Sequence, residues 1–322
     1  MKAILYTRYG PPEVLQIKEV SRPVPKDDEV LIKVQAVSVN RSDWEALRGT
    51  PFYARFGGLL RPRRKILGSD IAGRVEMAGR NVTRFRPGDE VFGDVSVLMG
   101  GFAEYASAPE GALALKPAGM TFEVAATIPQ AAVIALQGIR DKGHVQPGQK
   151  VLINGAGGCT GTFAVQLAKS YGADVTGVDN TEKLDFMRSL GADHVIDYTR
   201  EDFTKNGKQY DLILDVVAHR SAFAYRRALN PNGSYFAVGG SLGTIFQILL
   251  LGPLIGVATG KKIRLLAVRP NLEDVVYMTE LCQSGKVVPF IDRRYPLSEV
   301  PEALRHLGEG HAKGKVVITV EA

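Results

Sequence analysis

Residues 149–172 read QKVLINGAGGCTGTFAVQLAKSYG, and the order of residue types in this stretch decides the fold. Residues 150–154 (KVLIN) form a short apolar run of the kind that makes a fully buried parallel strand. Gly155, Gly157, Gly158 and Gly161 follow, removing side chains where the backbone must bend sharply and lie close to something else. From Thr162 to Tyr171 the pattern is helical, with Phe163, Val165, Leu167 and Ala168 as its apolar residues. A strand, a glycine turn and a helix together make an anion cradle. The first turn of such a helix carries N–H groups without intrahelical partners and the positive end of the dipole.

The spacing Ala156, Gly158, Gly161 is the dinucleotide fingerprint with alanine in its first position. A second apolar run, residues 174–179 (DVTGVD), ends in Asp179 about 20 residues beyond the turn, where a partner for the ribose hydroxyls belongs. The glycine count exceeds what packing alone requires, so the turn reads as a pyrophosphate site rather than as a structural corner.

The remainder of the composition is that of an ordinary globular protein. The chain has 322 residues, enough for about two domains. Hydrophobic residues make up 45% and charged residues 23%. The net charge of +6 comes without an aromatic-interleaved basic stripe, which argues against a nucleic-acid partner. Cys159 and Cys282 are the only cysteines, too few for a disulfide framework or a four-cysteine zinc lobe. The N-terminus shows no signal-peptide pattern, giving an expectation of a cytoplasmic protein. The longest apolar window, residues 245–258, contains Gly252, Pro253 and Gly256 and is short for a bilayer. It reads as a buried or pocket-lining segment, with no membrane span expected.

Taken in order, residues 1–121 show short alternating runs broken by turn residues and read as a β-rich domain of small-barrel character. The basic loop 55–65 within it reads as solvated surface. Residues 122–269 alternate strand and helix with near-continuous apolar strands, which indicates a doubly wound parallel sheet of the Rossmann α/β class. Residues 270–322 carry two amphipathic helices and a last strand, and read as a return to the first domain.

In this order the pieces resemble the medium-chain dehydrogenase/reductase superfamily, and within it the zinc-independent quinone oxidoreductase and enone reductase branch. The resemblance covers essentially the whole chain. It is carried by residues 36–44 (AVSVNRSDW), 67–73 (LGSDIAG), 86–92 (RPGDEVF), 101–105 (GFAEY), the fingerprint, and 189–193 (SLGAD) with 195–198 (VIDY). It implies a GroES-like first domain, a homodimer, and reduction of a small quinone or α,β-unsaturated carbonyl compound by NAD(P)H. Zinc-dependent members place metal ligands at positions that match Asn40, Ser69 and Gln130, none of which is a competent soft or imidazole ligand. No metal site is therefore expected. Glu45 and Ile134 depart from residues frequent in the branch, as does Cys159 in the fingerprint.

The cofactor residues expected from the fingerprint and the resemblance are Ala156, Gly158, Cys159, Thr160 and Gly161 at the pyrophosphate. Asp179, Asn180, Lys183 and Tyr198 belong around the adenosine, and Val217, Val238, Gly239 and Gly240 at later strand ends near the nicotinamide. Hydride transfer asks little of side chains beyond a donor for the carbonyl oxygen that becomes negative. Asn40 and Tyr53 are the catalytic candidates for that role, beside main-chain N–H groups at Gly239 and Gly240. A carboxylate at Asp179 repels a 2′-phosphate, which favours NADH, whereas the branch commonly uses NADPH. Two other readings fit the same residues: a metal-free alcohol or carbonyl oxidoreductase, and a non-catalytic nucleotide-binding redox sensor. A homodimer is expected to join through residues 263–268, an apolar last strand of the cofactor sheet.

Overall fold

The computed structural model describes residues 1–56 and 58–320. Gly57, within the basic loop 55–65, lies outside them. The chain forms two compact units, one of residues 1–133, 270–283 and 289–322, the other of residues 134–269 and 284–288.

The first unit opens with a hairpin of β1 (Lys2–Leu5) and β2 (Gln16–Glu19), followed by β3 (Glu29–Val39) and α1 (Arg41–Arg48). Then come β4 (Asp70–Ala78), β5 (Glu90–Asp94), β6 (Tyr105–Pro109), β7 (Leu113–Leu115), α2 (Phe122–Ala126) and α3 (Ala131–Leu136), which runs on into the second unit. The long strand β3 organises this unit. It pairs antiparallel with both β4 and β6, which explains why nearly every one of its side chains is buried.

The second unit contains β8 (Lys150–Asn154), α4 (Cys159–Ser170), β9 (Asp174–Asp179), α5 (Leu184–Ser189), β10 (His194–Asp197), β11 (Tyr210–Asp215), α6 (Ala222–Arg227), β12 (Leu229–Ala237), α7 (Leu242–Thr259) and β13 (Lys262–Leu265). Its sheet has the order β10-β9-β8-β11-β12-β13, every pair parallel. This is the doubly wound Rossmann arrangement, with the order reversing beside β8, where such sheets bind their ligands.

The chain then returns to the first unit with α8 (Leu272–Gln283), β14 (Ile291–Pro296), α9 (Val300–Gly308) and β15 (Lys315–Thr319). Strand β15 pairs antiparallel with β3, setting Val316 opposite Val39. The same register brings Lys315 opposite Asn40, and the β3–β4 pairing sets Ser38 opposite Asp70. Residues from three distant parts of the chain thus meet at one end of the sheet.

Four expectations need correction. The first boundary falls at 133 rather than 121, because α2 packs on β3, β4 and β5. Residues 284–288 belong with the second unit rather than the first. The side chain of Gln166 holds Val288 there from both sides, its Nε2 donating to the carbonyl at 3.0 Å and its Oε1 accepting from the N–H at 2.8 Å. The apolar window 245–258 lies within α7, of which only 22% is buried. Thr244, Ile248, Gly252 and Ile255 form its buried stripe, whereas Phe246, Leu249, Leu250, Leu254 and Val257 are exposed.

Strand β13 is the outer strand of its sheet, as expected, but it ends at Leu265 and is not apolar on both faces. Lys262 and Arg264 are exposed and alternate with buried Ile263. Charges of this kind discourage edge pairing.

Candidate active site

The glycine turn between β8 and α4 is built as the fingerprint requires, and its glycines have different reasons to be glycine. Gly155 adopts φ +84°, a left-handed conformation that side chains rarely tolerate. A Cβ on Gly161 would lie 2.1 Å from the carbonyl oxygen of Gly155, so helix α4 approaches the turn too closely for any side chain. Gly158 is different. It caps the helix with φ −91°, which any residue adopts, and a Cβ there would meet only the Gly155 oxygen, at 3.4 Å. Neither backbone strain nor packing demands glycine at 158, and the space beside it is open. That open space borders the first turn of α4, whose N–H groups at Cys159, Thr160 and Gly161 are the donors a pyrophosphate cradle needs. Ala156 is buried behind the turn and packs against Gly177 of β9.

Asp179, at the end of β9, does not stand free. Its Oδ2 accepts from the N–H of Gly157 at 3.0 Å and its Oδ1 from that of Asn180 at 2.9 Å. The Lys183 ammonium lies 3.5 Å from Oδ1, and both side chains are more than 90% buried. Lys183 is therefore no flexible surface cation, and Asp179 is a neutralised clamp on the glycine turn. The expected repulsion of a 2′-phosphate loses its basis. The Asn180 Oδ1 is buried without a partner among the described residues, an acceptor left over where the adenosine half is expected. Tyr198 is half-exposed beside it and donates its N–H to the Asp179 carbonyl at 3.1 Å.

The later strand ends are organised by a residue the sequence reading passed over. Asp215, fully buried at the end of β11, accepts from Asn154 Nδ2 (2.8 Å), from the N–H groups of Val217 (2.9 Å) and Ala218 (2.7 Å), and from the Tyr235 hydroxyl (3.0 Å). It ties β8, β11 and β12 together and turns Val217 outward, leaving it 50% exposed. The signal was available as an acid closing the apolar run DLILD. Val238, Gly239 and Gly240 follow β12, with both glycines at positive φ. A Cβ on Gly240 would meet the Ala218 oxygen at 2.8 Å.

In the first unit Asn40 and Ser69 come together with Asp43, Asp70, Gln130 and Lys315 in a buried polar network. Asn40 Nδ2 donates to Ser69 Oγ at 3.0 Å and to Asp70 Oδ2 at 2.9 Å. Its Oδ1 accepts from Lys315 Nζ at 2.7 Å. Asp43 accepts from the N–H groups of Asn40 (2.8 Å) and Gly68 (3.0 Å), which fixes the start of α1 against the loop before β4. Gln130 donates its N–H to Asp70 at 3.3 Å, and its Oε1 accepts from the Ser42 hydroxyl at 3.0 Å.

Two catalytic candidates are revised by this geometry. Asn40 is 2% exposed and both of its amide hydrogens are spent, so it orders the network rather than presenting a donor to substrate. Tyr53 lies in the turn Phe52–Arg55, and its hydroxyl donates to Glu45 Oε2 at 3.3 Å. Glu45, noted as a departure from the resembling family, is thus the partner of that tyrosine; burial pushes its carboxyl up. Burial likewise pushes Asp43 up to about 6 and Asp70 well above the ordinary carboxylate range, with Lys315 opposing both shifts.

Known proteins of the same build were found by sequence and by structure. Residues 26–118 match the alcohol dehydrogenase GroES-like domain, and residues 190–318 match a zinc-binding dehydrogenase domain. The chain is 34% identical to a 2-methylene-furan-3-one reductase of Solanum lycopersicum, over 99% of this chain and 79% of that one. It is also 34% identical to an NADPH-dependent alkenal/one oxidoreductase of Arabidopsis thaliana, with the same coverage. The quinone oxidoreductase of Coxiella burnetii superposes with a TM-score of 0.91 at 29% identity, covering 100% of this chain and 99% of that one.

Proposed function

Because the chain belongs to the medium-chain dehydrogenase/reductase superfamily, in its quinone oxidoreductase and enone reductase branch, and is an NAD(P)H-dependent reductase of quinones or α,β-unsaturated carbonyl compounds, we propose that it performs this reaction without zinc. The observation that carries the proposal is the Lys315 ammonium, fully buried and 2.7 Å from Asn40. The positions matching a metal site offer two neutral amides and a hydroxyl, a poor donor set for zinc. A fixed positive charge already lies among them.

The bound nicotinamide supplies the hydride. What the chain supplies is position. Gly158 and the first turn of α4 hold the pyrophosphate, Asp179 and Lys183 hold the turn, and Asp215 fixes Val217 at the nicotinamide half. With Asn40 spent, we assign donation to the developing carbonyl oxygen to main-chain N–H groups at Gly239 and Gly240, with water as the final proton source. Self-association through β13 is a separate part of this reading. It rests only on β13 being the outer strand of its sheet, and the exposed Lys262 and Arg264 weigh against it; a monomeric mass in solution at micromolar concentration would count against it.

The test is oxidation of NADH and NADPH by a panel of quinones and enones, with enzyme stripped of metal by a chelator. Stoichiometric turnover unaffected by stripping is expected. Binding of the nucleotide with no turnover would favour a sensor. Oxidation of simple alcohols in preference to enone reduction would favour the alcohol oxidoreductase reading, and activity lost with stoichiometric zinc would overturn the metal-free one.

A further inference from the structure

Helix α7 is apolar on two sides. One stripe packs into the core of the second unit, where Ile248 and Ile255 join Ile263 and Tyr235. The other, at Leu242, Phe246, Leu249, Leu250, Leu254 and Val257, recurs with the helical period and faces outward; Val257 is 93% exposed. No charged residue occurs between Leu242 and Thr259. At 18 residues the helix is long and apolar enough, by length and composition, to cross a bilayer, but its buried stripe is already occupied by protein. A helix with one face docked and one apolar face open is suited to lie in a membrane surface rather than to span it.

The charge around it is one-sided. Between Asp215 and Glu273 there is no acid, while seven Lys and Arg residues occur, against a net charge of +6 for the whole chain. The whole net positive charge is thus carried by the segment containing α7. Part of it gathers at the C-terminal end of the helix. Lys261 Nζ donates to the carbonyls of Arg226 (2.9 Å) and Leu229 (2.7 Å), which brings Lys261 to the end of α6, where Arg226 and Arg227 lie. Arg226 also lies over the ring of half-exposed Phe223. The elements on which α7 packs, α6 and β13, contain no acid.

We propose that the exposed face of α7, with the basic residues Arg226, Arg227, Lys261 and Lys262 at its end, docks the protein onto an anionic phospholipid surface. The apolar stripe enters the boundary between headgroups and acyl chains, and the cations meet the phosphates. Two weak signals together give stable attachment where either alone gives little. A second copy of the same face would meet the apolar stripe but would bring no acid to those cations. The inference does not depend on which substrate the enzyme reduces.

The experiment is flotation of the full chain with vesicles of phosphatidylcholine alone or mixed with phosphatidylglycerol, at low and high salt. Binding to the anionic vesicles that salt weakens is expected. The double variant Leu250→Asp/Leu254→Asp should lose at least about tenfold in partitioning, and Arg227→Glu/Lys262→Glu a similar factor. Thermal melting and nucleotide affinity report that each variant is folded. Absence of wild-type binding, or binding that neither double variant weakens, would overturn the proposal. So would a wild-type dimer that Leu250→Asp/Leu254→Asp converts to monomer, since a second copy would then be the occupant.

Discussion

Lys315, in the last strand, donates its ammonium to the side-chain oxygen of Asn40 at 2.7 Å, joining residues 275 apart in the chain. The bond follows from the β15–β3 register, and it turns an expected substrate contact into a structural one. Lys315 is 0% exposed, and the same ammonium lies 4.0 Å from Asp70.

Removing that cation leaves buried acceptors without their counter-charge. Lys315→Met should cost about 3–5 kcal/mol of stability, the range for breaking a buried charged pair from one side. Urea unfolding measures it, and a loss below about 1 kcal/mol would show the network to be held by its neutral hydrogen bonds.

Asp43 makes stability depend on pH in a direction opposite to that of a surface carboxylate. Burial raises its carboxyl from 3.8 to about 6, so from about pH 4 to about 6 the folded state keeps a proton that the unfolded chain has released. Its contribution therefore falls as pH rises through that window and is level above it. Asp43→Asn, which does not ionise, should gain on the wild type by up to about 3 kcal/mol between the two ends of the window. A stability difference independent of pH would place the native carboxyl near its ordinary value.

The glycines of the turn should separate. At Gly158 an added Cβ makes only one ordinary contact, 3.4 Å from the Gly155 oxygen, so Gly158→Ala or Gly158→Val should still fold, while the dissociation constant for NADPH rises at least about tenfold. Gly161→Ala forces a Cβ to 2.1 Å from a carbonyl oxygen and should be destabilised outright. Unchanged affinity in a folded Gly158→Val protein would mean that the cradle holds nothing.

Asp179→Ser tests whether that carboxylate selects the cofactor or holds the turn. Because it clamps Gly157 and pairs with Lys183, the substitution should weaken NADH and NADPH by similar factors and lower stability. A shift of about tenfold in the ratio of specificity constants towards NADPH, with stability kept, would instead restore the reading of a free acid facing the ribose.

The sequence by itself determined the Rossmann sheet, the position of its glycine turn and the β-rich character of the first unit. These rest on short-range periodicity: apolar runs of four to six residues, glycines at fixed offsets and an acid at a strand end leave few arrangements open. What the tertiary structure alone decided is which polar atoms remain free. Asn40, Asp179 and Lys183 are the residue types their positions suggest, yet their hydrogen bonds go to one another's surroundings rather than outward. For Asn40 the partner is set by strand register, which joins it to Lys315 without leaving a local trace. The same holds for α7, whose apolar pattern is alike on both faces. Composition could not say which face would be covered, because that depends on what packs beside it, and here α6 and β13 cover one stripe only.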